Sequence, residues 1–415
     1  MTRTSVSVVV VSRARPDALT RCISGLAQVQ YQPFEIIVVA DPSGIEAVEK
    51  LDCAESLKLV PFDTPNISAA RNAGIDVAAG DIVAFIDDDA VPEPTWLHYL
   101  IAPFEQSDVA ATGGFVIGRN GISFQWKSRM INALGHTTPI EIPQDHATVL
   151  HPPKGSAVKT EGTNMAVRRD VLAALGGFDP AYHFYLDETD LNMRLAQAGH
   201  ATALCPRALV HHGFAASTRR RKDRVPADLF DIGASWAVFA RKIIPETERR
   251  AHWAEIVRHE RKRLLSHMVA GALEPRQVRH LMRRLQSGHK EGGKRDVGTG
   301  KLTSHASDAF RAFPVVSRSS SYILATPLTV TKKRKQALDR VKNGEIVTLI
   351  VLSRSSMYHH VRFTESGVWE QTGGQFGRAT RSSKRLRWVR REVRFKDEID
   401  RVVTIRGFGD AKLPL

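Results

Sequence analysis

The first 215 residues predict an α/β fold, a mostly parallel sheet with helices on both faces. Three observations carry this. Short β-branched runs alternate with helical patterns. The runs are apolar almost throughout, as strands buried on both faces must be. Acidic residues stand where two of these runs end, which is where open sheets of this kind bind ligands.

The elements follow in order. Ser5–Val11 (SVSVVVV) is the first strand, and Pro16–Leu26 the first helix, opened by a proline whose missing N–H costs nothing there. Phe34–Ala40 (FEIIVVA) and the short Leu57–Val60 are the next strands. Asn66 is placed to cap a helix running to about Ala79. Ile82–Ile86 is a fourth strand that ends abruptly in Asp87, Asp88 and Asp89. Residues 119–160, rich in Pro, His and Gly, read as a loop framing a site. Arg168–Leu175 reads as a helix stopped by Gly176 and Gly177. Asp187–Ala198 is another, with Leu191, Leu195 and Ala198 as its core stripe.

The second half has a different character. Leu229, Ile232, Trp236, Phe239 and Ile243 recur at helical spacing. Trp253 to Met268 and a stretch opened by Pro275 suggest two further helices. Strands are expected at Ile346–Leu352, Met357–Phe363 and Arg401–Ile405, with a turn at Thr372–Gly377. The organisation expected is an α/β domain over 1–215, a basic helical region over 216–286, a Gly-rich linker over 287–308 and a small α+β domain over 309–415.

Charge divides the chain in the same place. Residues 1–210 hold 16 Lys+Arg against 24 Asp+Glu, and the remainder 43 against 20. A split of this size suggests different partners for the two halves. An anionic membrane surface is one candidate for the basic half. Nucleic acid is disfavoured, because the cations are scattered through helices and no nucleic-acid module is present. Cys22, Cys53 and Cys205 are too few and too scattered for a disulfide framework or a zinc site. No run reaches the ~20 apolar residues of a membrane helix. A cytoplasmic protein, soluble or peripheral at the inner face of a membrane, is expected. Oligomeric state cannot be read from the sequence.

The chemistry starts at Asp87-Asp88-Asp89. Three adjacent carboxylates repel one another, and a hard divalent cation, Mn²⁺ or Mg²⁺, is the usual compensation. A solvated acidic loop is the alternative. Arg71 precedes them by one helix and suits a phosphate, or else pairs with an acid. Asp41 follows the second strand, where it can accept a hydrogen bond from a nucleotide or simply form a turn before Pro42.

The ordered segments SVSVVVVSRARP, IIVVADPSG, NISAARNAG, GDIVAFIDDDAVPEPTW, EGTNMAVRRDVLAALGGFDP and LDETDLNMRL together resemble the family 2 glycosyltransferases. The resemblance implies a GT-A fold and transfer of a sugar, with inversion, from a nucleotide-sugar donor to a glycan or glycolipid acceptor, as in polysaccharide or glycoconjugate synthesis. It implies donor binding by Val11, Ser12, Asp41, Arg71, Asp87, Asp88 and Asp190, and a divalent metal held by Asp89 with His211 or His212. The general base would be Glu188 or Asp187. The family's pair is Glu-Asp, and here it is reversed. The other reading is a catalytically inactive, transferase-like scaffold with a basic tail. A nucleotidyltransferase ranks lower, since Ser12–Pro16 lacks a Gly-rich phosphate loop.

Overall fold

In a computed structural model the described residues are 3–213, 219–221, 223–300 and 302–407. The first part alternates as expected. It runs β1 (Val6–Ser12), α1 (Pro16–Leu26), β2 (Phe34–Ala40), α2 (Pro42–Glu49), β3 (Leu57–Pro61), α3 (Ile67–Val77) and β4 (Ile82–Asp87). It continues through β5 (Ala90–Pro92), α4 (Trp96–Ile101) and β6 (Val109–Ile117). The stretch 119–160, expected as a loop, instead carries five short strands, β7 (Phe124–Trp126), β8 (Arg129–Asn132), β9 (Thr137–Pro139), β10 (Thr148–Leu150) and β11 (Ser156–Val158). Strands this short leave too little period-2 pattern to be read from sequence. Then come β12 (Met165–Arg168), α5 (Arg169–Leu175), α6 (Asp187–Gln197) and β13 (Ala201–His212).

The main sheet has the order β10-β13-β6-β12-β4-β1-β2-β3. Strands β3, β2, β1 and β4 are parallel, β12 is antiparallel to β4 and β6, and β13 is parallel to β6. One face packs α1 and α4 over Val8, Val10, Ile36 and Val38; the other packs α3, α5 and α6 over Val9, Ile37, Val83 and Phe85. Asn66 caps α3 by accepting from Ala69 N at 3.0 Å. Gly176 ends α5 with φ 73°, a left-handed turn that only glycine adopts without strain.

Helices α7 (Phe230–Ile243), α8 (Glu246–Val269) and α9 (Pro275–Gly292) form a layer against α6. α7 and α9 lie close because Gly233, Gly288 and Gly292 leave no Cβ between their backbones. The expected Gly-rich linker, 287–308, is therefore partly helix. Part of the rest is bound to helices covering the main sheet: Arg169 of α5 donates to the carbonyls of Thr303 and Ser304, and Ser307 N donates to Asp76 O of α3. The chain then runs along the sheet's amino end, where Phe313 N donates to Phe34 O at 2.7 Å and the two rings lie 5.4 Å apart.

The last part is β14 (Ser320–Ala325), α10 (Val330–Lys342), β15 (Ile346–Ser353), β16 (His360–Phe363), β17 (Trp369–Gly374) and α11 (Arg391–Arg406). Its sheet has the order β14-β15-β17-β16. Arg401–Ile405, expected as a strand, belongs to α11, whose Ile399, Val402 and Ile405 pack on Ile350 and Leu352. Their three-residue spacing was hidden by the β-branched run. The expected turn at Thr372–Gly377 begins inside β17. No helix among the described residues is long and apolar enough to cross a membrane.

Candidate active site

Strands β1, β2, β4, β6 and β13 bring their carboxyl ends to one edge of the main sheet. Val11 lies opposite Asp87 in register, so Ser12 and the acidic run meet there. Backbone alternation then sorts the three acids. Asp88 turns inward, fully buried, accepts from Ser12 Oγ at 2.6 Å and pairs with Arg15 at 2.5 Å. Asp87 and Asp89 face the cleft. Asp88 and Ser12 are thus engaged with each other rather than open to a donor, and Val11 packs against the core.

The same alternation separates the two histidines of β13. β5 directly follows the acidic run and pairs antiparallel with β13, placing His212 opposite Ala90. His212 Nε2 lies 3.0 Å from Asp89 Oδ1, and its Nδ1 lies 2.9 Å from Gln125 Oε1. Trp126 stacks on its ring at 5.9 Å. Burial alone would make His212 harder to protonate, but the Asp89 carboxylate outweighs it and raises the pKa. His211 points the other way, to Glu93 at 2.8 Å, and so does not join the metal-type cluster. Asp87, Asp89 and His212 each offer a ligand atom, all within 4.8 Å of one another. Two carboxylate oxygens and one imidazole nitrogen are a donor set for a divalent cation.

Arg71, buried on α3, links this cluster to α6. It pairs closely with Asp187 and lies 3.4 Å from Asp87. This is the acid-pairing alternative for Arg71; it carries the cleft's charge balance rather than offering an uncommitted phosphate ligand. Tyr185 and Leu186, immediately before Asp187, have φ values of 76° and 67°. Non-glycine residues rarely adopt this conformation, and it turns the start of α6 toward the cleft. Burial pushes the Asp187 carboxyl up, against the pull of Arg71. Glu188 has the opposite balance: burial would raise it, but Lys159 at 2.8 Å holds it well down. Asp190 is fully buried between Arg194 at 2.7 Å and Lys242 at 2.6 Å. Through Lys242 it locks α6 to α7.

Asp41 accepts from Ala14 N at 3.1 Å and Ser43 Oγ at 2.6 Å. Ala14 has φ 56°, which aims its amide at the carboxylate. These bonds outweigh burial and lower the Asp41 pKa. Thr163 and Asn164 are buried; Asn164 accepts from Trp96 Nε1 at 2.8 Å and donates to Phe115 O and Ala208 O. His136 pairs with Glu255 on α8.

Arg15, Gln125 and Lys159 belong to this site and were not read from the sequence. Arg15 sat within the Ser12–Pro16 segment considered only for its lack of glycine. Lys159 and Gln125 lie in the stretch taken as a loop, where no periodicity marks them.

The chain is 27% identical over 242 residues to the O-antigen biosynthesis protein RfbC of Myxococcus xanthus, covering 53% of this chain and 18% of that protein. It is 26% identical over 189 residues to the glucosyl-dolichyl phosphate glucuronosyltransferase of Haloferax volcanii, covering 43% of this chain and 56% of that one. The chain thus spans from under a fifth to just over half of the length of these relatives. The crystal structure of GalNAc-T7 with UDP, GalNAc and Mn²⁺ aligns with a TM-score of 0.41 at 16% identity, over 57% of this chain and 48% of that one. Residues 7–176, within this α/β part of the chain, match the model described as Glycosyl transferase family 2.

Proposed function

We propose that the protein transfers a sugar, with inversion, from a nucleoside-diphosphate sugar to an acceptor hydroxyl during assembly of a polysaccharide or glycoconjugate. The observation that carries this is the Asp87–Asp89–His212 cluster, joined through Arg71 to Asp187. A candidate cation site and a candidate general base, both within reach of Arg71, support this reading. Asp41, with the backbone at Ala14, offers a hydrogen-bonding edge for the nucleoside.

Asp87, Asp89 and His212 would hold the cation, which supplies charge neutralisation for a departing diphosphate. Asp187 takes the proton of the acceptor hydroxyl as that oxygen attacks the anomeric carbon. Its raised pKa suits a base better than the depressed one of Glu188. Arg71 holds the Asp187 carboxylate in place. Lys159 orients Glu188 at the rim. The O-antigen and dolichyl phosphate relatives support a glycan or lipid-linked acceptor.

The test is thermal unfolding with UDP, GDP, dTDP, CDP and ADP, each with and without Mn²⁺, followed by turnover of the matching sugar nucleotides. A ligand at about 100 times its Kd adds about 2.7 kcal/mol to the folded state. A metal-dependent shift with one nucleotide, together with turnover, supports the reading. A shift without turnover of any sugar nucleotide would favour the inactive scaffold.

A further inference from the structure

The face of the C-terminal sheet at the carboxyl ends of β15 and β17 combines exposed apolar side chains with concentrated positive charge. Two loops build it, 354–359 after β15 and 375–390 after β17. They are tied together by Gly374 N donating to Met357 O at 3.0 Å and His359 N to Arg378 O at 2.7 Å. Trp388 is 76% exposed, Met357 62%, Tyr358 54% and Leu386 46%. The Trp388 ring is steadied by Phe376, 4.7 Å away, and Arg378 lies over Tyr358. Between residues 378 and 391 the sequence has seven Lys or Arg and no Asp or Glu. Lys384, Arg385 and Arg390 among them are exposed.

We propose that this face docks on an anionic lipid bilayer, with Trp388, Leu386, Met357 and Tyr358 entering the interface and the flanking cations meeting the headgroups. Indole and phenol rings favour the interfacial region, and aliphatic side chains beside them add buried apolar area. Clustered Lys and Arg add attraction to an anionic surface. A single-stranded nucleic acid fits the face less well. Met357 and Leu386 offer no stacking plane, Arg378 already covers Tyr358, and Phe376 already packs on Trp388.

The face also has a fixed relation to the cleft. Arg381 Nε donates to Ser123 Oγ at 2.7 Å, tying the basic segment to the loop between β6 and β7. The start of that loop, Gly118 and Arg119, lines a cleft of about 640 Å³ together with Asp89 and His212. On the transferase reading, a lipid-linked acceptor would arrive beside the donor site. Docking itself does not depend on that reading.

The experiment is co-sedimentation of the full chain with phosphatidylcholine vesicles, with and without phosphatidylglycerol, at low and high salt. Trp388 emission is followed in parallel with brominated lipid. Binding is expected only with the anionic lipid, weakening with salt, with a blue shift and quenching that Trp388→Phe removes. Lys384→Ala/Arg385→Ala should weaken binding by roughly thirtyfold. Arg261→Ala/Lys262→Ala, which removes the same charge from an exposed face of α8, should leave it unchanged. Equal loss in both double variants, or binding with no change in Trp388 emission, would overturn the proposal. So would retention of a single-stranded oligonucleotide under conditions where vesicles are not bound. A failure of nucleotide binding or turnover would leave the vesicle result standing, so the two readings fail separately.

Discussion

Glu93 and Arg406, 313 positions apart, form a doubly hydrogen-bonded ion pair, both contacts at 2.8 Å, with each side chain about 1% exposed. His211 also meets Glu93, and the Arg406 guanidinium lies over the Trp369 ring at 4.3 Å. The pair joins α11 of the C-terminal sheet to the segment next to β5, the strand that seats His212. Removing one partner of a buried pair leaves an uncompensated charge and typically costs about 3–5 kcal/mol. Arg406→Met should lower stability by this amount in chemical denaturation. Arg406→Met/Glu93→Gln should lower it less.

The same pair sets an acid limit. Burial opposes the Glu93 charge, yet Arg406 and His211 hold its pKa to about 2. An unfolded glutamate titrates near ~4.3. The folded value is the lower one, so the stability from Glu93 is fully present above the unfolded value and drains as pH falls through it toward about 2. Melting temperature against pH should fall less steeply in this window for the double variant than for the native chain.

The Asp87–Asp89–His212 cluster separates two adjacent histidines. His212→Ala and Asp89→Ala should abolish the Mn²⁺-dependent part of nucleotide-induced thermal stabilisation. His211→Ala should keep that response while starting from a lower melting temperature, because it faces Glu93 rather than Asp89. A lost response in His211→Ala alone would exchange their roles.

Asp187→Asn should lower kcat by about 10²–10⁴, as expected for loss of a general base, with donor affinity nearly unchanged. Glu188→Gln should cost far less. The raised Asp187 pKa predicts that kcat climbs with pH through an acidic limb lying above the usual carboxylate range. That limb should vanish in Asp187→Asn and persist in Glu188→Gln.

Phe313→Ala should destabilise the protein by about 3–5 kcal/mol, since it empties a buried seat against Phe34. Circular dichroism during heating would show whether the main sheet melts with this loss.

The sheet and its acidic edge were legible because long apolar strands and a run of three aspartates leave strong local patterns. Val6–Ser12, Phe34–Ala40 and Ile82–Asp87 each fell within a residue of expectation. The division of labour inside the site was not legible. Asp88 and His211 differ from Asp89 and His212 only in which side of the backbone they leave, and that depends on pairing with distant strands. Lys159 and Arg15 became visible only once folding set them beside Glu188 and Asp88. The C-terminal α11 misled because Val402, Val403 and Ile405 favour strands locally, while packing on Ile350 and Leu352 makes them helical.

The belt across the amino end of the sheet orders events during synthesis. A ribosome releases the strands β1 to β13 well before Phe313, so the nascent α/β part must wait with its Phe34 seat open. The hydrogen bonds from Arg311 to Glu35 Oε2 and Leu57 O, at 2.8 Å, are also still to come. The sheet that emerges first is therefore closed only when the belt has followed it, and a shortened chain meant to isolate it must extend past the belt to be born with a closed core.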